Sequence, residues 1–125
     1  MAGDLVHVEI RSGDAARAQR FWSSLFGLRF NAEAGELPYT MAQTPGGTGL
    51  GLYRSDDAER GLLVYFSVDD VDDALARVRE LGGEVVEERT AIPETGWFAR
   101  CRDTEGNPFS VFQSDPTVPL PPTSG

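Results

Sequence analysis

The chain repeats itself at a spacing of 56 residues. Val8 returns as Val64, Asp14 as Asp70, Ala18 as Ala74, Leu25 as Leu81 and Gly27 as Gly83. In each copy an apolar strand runs into an acidic helix start, then an amphipathic helix, then a glycine. Identities at matching positions along successive elements point to two copies of one supersecondary unit, each too small to bury its apolar face alone. The repeat breaks at one informative place: His7 falls on Leu63. One copy offers a ligand-capable side chain where the other offers an aliphatic one.

The first copy opens with alternation. Leu5, His7 and Glu9 point one way along the strand, and Val6, Val8 and Ile10 the other. Asp14 is positioned to cap a helix from Ala15 to Phe26, whose apolar stripe is Ala18, Phe21, Trp22 and Leu25. That spacing assigns Trp22 to the core. Gly27 stops the helix. Short strands are predicted at Leu28 to Glu33, Tyr39 to Thr44 and Gly49 to Arg54, with turns at Ala34 to Pro38 and Pro45 to Gly47. Ser55 to Gly61 reads as a linker.

The second copy begins at Leu62. Val64, Phe66 and Val68 form its apolar back, and Leu63, Tyr65 and Ser67 its front. Asp69 or Asp70 caps a helix with the stripe Val71, Ala74, Leu75 and Val78, ended by Gly82 and Gly83. Strands follow at Glu84 to Arg89, Gly96 to Arg102 and Asn107 to Gln113. Asp103 to Asn107 is a turn in which Gly106 takes positive φ. The expected layout is one domain over residues 1–115, with modules at 4–54 and 62–114 about a linker at 55–61. Residues 116–125, rich in proline, are expected to form a flexible tail. The fold class is α+β: two βαβββ modules forming a U-shaped mixed sheet around a shared cleft, helices outside.

Composition narrows the partners. The net charge is −9, and all eleven basic residues are arginine. A charge this negative disfavours nucleic acid and anionic membranes and tolerates a cationic ligand. Cys101 is the only cysteine, so no intrachain disulfide can form, which suits a reducing cytoplasm. The opening Met1-Ala2-Gly3-Asp4 has neither the basic nor the apolar stretch of a secretory signal. The longest apolar runs, such as Leu62 to Phe66, are too short to span a bilayer.

Several segments together resemble the vicinal oxygen chelate superfamily, which contains glyoxalase I, extradiol dioxygenases, and fosfomycin- and bleomycin-resistance proteins. They are His7 to Ile10 before a helix, Phe21 to Gly27 closing it, Val68 to Val71 opening the second helix, and Gly96 to Asp103. The turn Asp103 to Asn107 followed by a strand is the most specific. The resemblance covers about residues 4 to 114. It bears on fold more than on any single reaction, since one fold hosts many activities.

Metal-dependent members draw ligands from the first and fourth strands of each module. On that resemblance His7 matches the first ligand, Leu63 stands where a second histidine would, and Ser110 stands where a glutamate is usual. Leu50, Gly51, Leu52 and Tyr53 include no good ligand. A stable site needs three or more protein ligands, so no cofactor and no divalent metal is expected. Glu9 adds a carboxylate beside His7 on the same face, but two ligands from one strand make a poor site. Glu9 could instead attract a cation or pair with Arg100 or Arg102. His7 could be a hydrogen-bonded cleft residue, a ligand contact or a proton-transfer group.

The expected ligand-binding residues are His7, Glu9, Tyr39, Met41, Leu63, Tyr65, Trp97, Ser110 and Phe112. Trp97 and Phe98 lie on opposite faces of one strand, so only one reaches the site. Cys101 reads as structural. The favoured function is a metal-free binding protein of the bleomycin-resistance type, sequestering a small aromatic or cationic molecule. The alternatives are a glyoxalase-like lyase, isomerase or dioxygenase, and an accessory module with no ligand. The resemblance implies a homodimer.

Overall fold

A computed structural model of the chain describes residues 2–31, 39–54 and 61–120. Within them run β1 (Leu5–Ser12), α1 (Ala15–Phe26), β2 (Tyr39–Gln43), β3 (Gly49–Arg54), β4 (Gly61–Ser67), α2 (Val71–Glu80), β5 (Glu84–Ile92), β6 (Gly96–Arg102) and β7 (Pro108–Ser114). The class is α+β, built from two modules of the same strand-helix-strand plan. Val6–Val64 form one compact unit; the chain through Leu5, with Tyr65 onward, forms the other. The boundary falls inside β4, whose Tyr65–Ser67 half pairs with β7. Among the described residues no helix is long and apolar enough to cross a membrane.

In module one, β1 pairs parallel with β3, and β3 pairs antiparallel with β2. A parallel pair needs a crossover, and α1 supplies it. The Asp14 carboxylate accepts a hydrogen bond from the Arg17 backbone N–H at 3.0 Å, and Gly27 closes the helix at φ 68°. Ile10, Leu28, Ala42, Leu50 and Leu52 form the core, with Val8, Ala18, Trp22 and Phe30 packed against it. Trp22 therefore lies where the helical spacing puts it. Phe21 and Leu25, expected on the same stripe, are exposed. Of that stripe, Ala18 and Trp22 pack against the core.

Leu28 to Asn31 form no strand. Leu28 enters the core, and Asn31 holds the edge of β2 through two bonds with Met41: its N–H donates to the Met41 carbonyl, and its side-chain oxygen accepts from the Met41 N–H. A side chain here stands in for one backbone ladder bond. The turn expected at Ala34 to Pro38 lies outside the described residues. So does the linker, except for Gly61, which begins β4.

In module two the order is β4-β7-β6-β5, with β4 and β7 parallel and the other pairs antiparallel. This is the full βαβββ unit. The Asp70 carboxylate caps α2 through the Asp73 N–H at 2.9 Å, so Asp70 and not Asp69 is the cap. The helix starts in register with the first copy but ends earlier, at Glu80, and Gly82 takes φ 90°. Val71, Leu75, Ala99, Cys101 and Val111 form its core.

The tail departs from expectation at its start. Val118 is buried, and its carbonyl accepts from the Glu94 N–H at 2.8 Å. Asp115 ties the segment further by accepting from the Trp97 indole N–H and the Thr117 hydroxyl. One valine among prolines is enough to fasten this stretch to the β5–β6 turn. Residues 121–125 lie outside the described residues.

Candidate functional site

Each module has one face covered by its helix and one left open, and strand alternation decides which side chains stand on the open one. In module one the pairings His7↔Gly49, Glu9↔Gly51 and Arg11↔Tyr53 continue into Met41↔Gly51 and Tyr39↔Tyr53. His7, Glu9, Arg11, Tyr39, Met41 and Tyr53 therefore share the open face. Its centre is a hydrogen bond of 2.5 Å between His7 Nε2 and the Tyr39 hydroxyl.

Two glycines make that contact possible. A Cβ on Gly49 would lie 2.8 Å from His7 Nδ1, and one on Gly51 would lie 2.1 Å from the Tyr39 hydroxyl oxygen. Both distances are shorter than any real Cβ contact. The strand under the pair is bare, and the imidazole and phenol lie down onto it.

The electrostatics follow from burial. The imidazole of His7 is held below its ordinary pKa because burial disfavours the imidazolium, with the Glu9 carboxylate pulling partly the other way. At neutral pH His7 is a neutral imidazole facing a hydroxyl. Glu9 is buried, and its Oε1 accepts a hydrogen bond from Arg11 Nε at 3.2 Å. A carboxylate of this kind is stable only when paired. The Arg100 considered above as a partner for Glu9 meets Glu87 instead, at 3.4 Å.

In module two Tyr65↔Ser110 and Ser67↔Phe112 are neighbours across β4 and β7, and Arg100↔Ser110 and Phe98↔Phe112 across β6 and β7. Tyr65, Ser110, Phe112, Phe98 and Arg100 share the open face. Trp97 does not. It packs against the α2 core, donates its indole N–H to Asp115, and carries Arg89 4.4 Å above its ring. Of the two candidates on β6, Phe98 is the one on the open face, because its parity matches Ser110. Leu63 is a buried apolar residue. Cys101 lies in the α2 core, where burial pushes its thiol up, which fits a structural role.

The register also identifies the module-one counterpart of Ser110. Glu9 stands to Gly51 as Tyr65, its repeat mate, stands to Ser110. The position is a glycine whose side-chain space is taken by the Tyr39 hydroxyl. Among the described residues no three His, Cys, Asp or Glu side chains come together as a metal site. His7 Nε2 is engaged by Tyr39 and Glu9 by Arg11. Among the described residues this face offers one imidazole and one carboxylate, fewer than the three or more ligands of a stable divalent site. Arg11, Gly49 and Gly51 were not among the expected site residues. The alternation of His7, Glu9 and Arg11, and the spacing of Gly49 and Gly51, were their available signals.

The chain matches the glyoxalase-like domain over residues 7–112. A glyoxylase-like domain-containing protein of Didymella fabae is 30% identical over 118 residues, spanning 87% of this chain and 92% of that protein. CFP32 of Mycobacterium bovis, described as a putative glyoxylase, is 43% identical over 53 residues, which is 42% of this chain. The chain matches about a fifth of the length of that curated relative, 20%. The solved structure of methylmalonyl-CoA epimerase from Mycobacterium tuberculosis has a TM-score of 0.70 at 19% identity, covering 93% of this chain and 90% of that one. At that identity the likeness is one of fold. This chain belongs to the glyoxalase-like domain family, within the vicinal oxygen chelate superfamily.

Proposed function

We propose that this glyoxalase-like protein binds a small organic molecule without a metal centre, as bleomycin-resistance members do, and that the ligand is aromatic or cationic. The observation that carries the reading is the His7–Tyr39 pair laid over Gly49 and Gly51. Glycines in a strand interior weaken it and need a reason; here they keep a floor clear for two polar rings. The pair presents one hydrogen-bonding edge between Glu9 and Met41, the few-polar-groups-among-apolar-ones pattern of small-molecule sites. The Glu9 carboxylate gives a cationic group something to approach, although Arg11 already neutralises part of it.

Titration calorimetry of the full chain against a panel of aromatic amines, aromatic alcohols and quaternary ammonium compounds tests the reading. Saturable heats that weaken about tenfold in Tyr39→Phe are expected, one hydrogen bond to a buried group being worth roughly that factor. Silence across the panel at high micromolar concentration counts against it. Stoichiometric zinc, iron or manganese in purified protein overturns the metal-free part.

One observation favours a second reading, a lyase or isomerase of the glyoxalase type. A neutral imidazole against a phenol hydroxyl is a competent proton acceptor and donor pair. Turnover of an α-keto or thioester substrate that vanishes in both His7→Gln and Tyr39→Phe would favour this reading over simple binding.

A further inference from the structure

We propose that Arg100 and Ser110 on the open face of module two form an anchor for the carboxylate of a small aromatic molecule. The Ser110 side chain is completely buried, 0% exposed, and its hydroxyl has no hydrogen-bond partner among the described residues. Its cross-strand neighbour Arg100 has a buried Nε in the same condition. An unsatisfied buried polar atom is uncommon and calls for an explanation. Here a neutral donor and a cationic one occupy paired positions on adjacent strands. A carboxylate has two oxygens, so one can accept from the hydroxyl and the other from the guanidinium.

The surroundings favour a ring attached to that carboxylate. Tyr65 flanks Ser110 on the β4 side, and Phe112 and Phe98 occupy the next rung of the same face. The Tyr65 and Phe98 rings are 6.5 Å apart at 56°, an arrangement that offers both faces and edges to a third ring. One group opposes the anion. Glu87 approaches Arg100 Nε at 3.4 Å, and both side chains are more than a third exposed, at 36% and 41%. An ion pair so exposed is weak, and a guanidinium has five N–H donors. Glu87 therefore competes with the anion without occupying the whole of Arg100. The residues of this anchor all belong to module two, and the proposal does not rest on the His7–Tyr39 reading.

The test uses benzoate as probe, with benzamide and benzylammonium as controls, followed by ¹⁵N chemical shifts of the full chain. Benzoate is expected to shift the β6 and β7 amides saturably, and benzamide to bind at least about tenfold more weakly, as loss of a charge-assisted hydrogen bond dictates. Arg100→Gln should weaken benzoate about tenfold and Ser110→Ala about fivefold, with Arg100→Lys between wild type and Arg100→Gln. Glu87→Gln should tighten it about threefold by removing the competing charge. Equal binding of benzamide overturns the proposal. So does an unchanged benzoate affinity in Ser110→Ala and Glu87→Gln, or the absence of shifts at tens of millimolar benzoate. Should Arg100→Gln fail to fold, Arg100→Lys and Glu87→Gln decide the matter alone.

Discussion

The two modules share a plan and differ in what their open faces carry. Both place a parallel strand pair across a capped helix and bury aliphatic side chains beneath it. In module one the strand beside β1 is stripped to Gly49 and Gly51, and two rings from neighbouring strands fill the vacated space. In module two the strand beside β4 keeps its side chains, and Ser110 is buried with no hydrogen-bond partner among the described residues. Duplicated scaffolds can diverge on one face while the other stays fixed, because core positions answer to packing and open positions to whatever binds there.

The largest effect expected from breaking this comparison is in the cores. Leu52→Ala in module one and Leu75→Ala in module two should each cost about 3 kcal/mol, since both side chains are almost wholly buried. Thermal unfolding checks this, and a cost under about 1 kcal/mol in either would mean that module contributes little to stability. The next effect sharpens the difference in floors. Gly51→Ala should cost about 2 kcal/mol by driving a methyl into the Tyr39 phenol. Tyr39→Ala in the same chain should recover most of that loss, and a double-mutant cycle with no coupling would show that the close approach is not the cause.

A smaller effect separates two buried hydroxyls. Thr40 sits on the core side of β2, paired with Leu52, and its Oγ1 has no hydrogen-bond partner among the described residues. Thr40→Val should therefore stabilise the chain by about 1 kcal/mol, measured by denaturant midpoint at constant slope. Destabilisation would mean that water or an unseen partner serves the hydroxyl. The smallest effect concerns pH. His7 has its pKa depressed by burial, so the unfolded chain binds the proton first as pH falls. Stability should decline from about pH 6.5 downward and level off once folded His7 also protonates. His7→Gln should flatten that part of the profile, and an identical profile in the variant removes His7 as the source.

The fold was largely legible in the chain because it rests on local signals that reinforce each other. Asp14, Gly27 and the 3.6-residue spacing of Ala18 and Trp22 bound one helix, and period-two alternation oriented β1. The missing strand after α1 was not legible, because Asn31 closes the sheet edge with its side chain and no propensity encodes that. Phe21 and Leu25 are exposed, because periodicity gives the apolar face of a helix but not how much of that face is covered. At the site, parity put His7 and Glu9 together on β1, Tyr39 and Met41 on β2, Leu63 and Tyr65 on β4, and Ser110 and Phe112 on β7, all of them expected to face one cleft. The expected Trp97 faces the α2 core, and Phe98 stands on the open face in its place, since a strand pattern fixes opposition without fixing which side the helix covers. Glu9 pairs with Arg11, two residues along the same face, and not with the expected Arg100, because alternation places neighbours on one strand as readily as across strands.

The chain's two tryptophans fall one to a module. Trp22 lies against Phe21 and Phe26 over the first core, and Trp97 sits between Arg89 and Asp115 over the second. Their indoles occupy unlike electrostatic settings, so their emission should differ in wavelength and in quenching. Single Trp→Phe replacements would leave the molecule with one tryptophan, excited selectively over tyrosine at the red edge, letting each half report its own melting by intrinsic light and without any attached label.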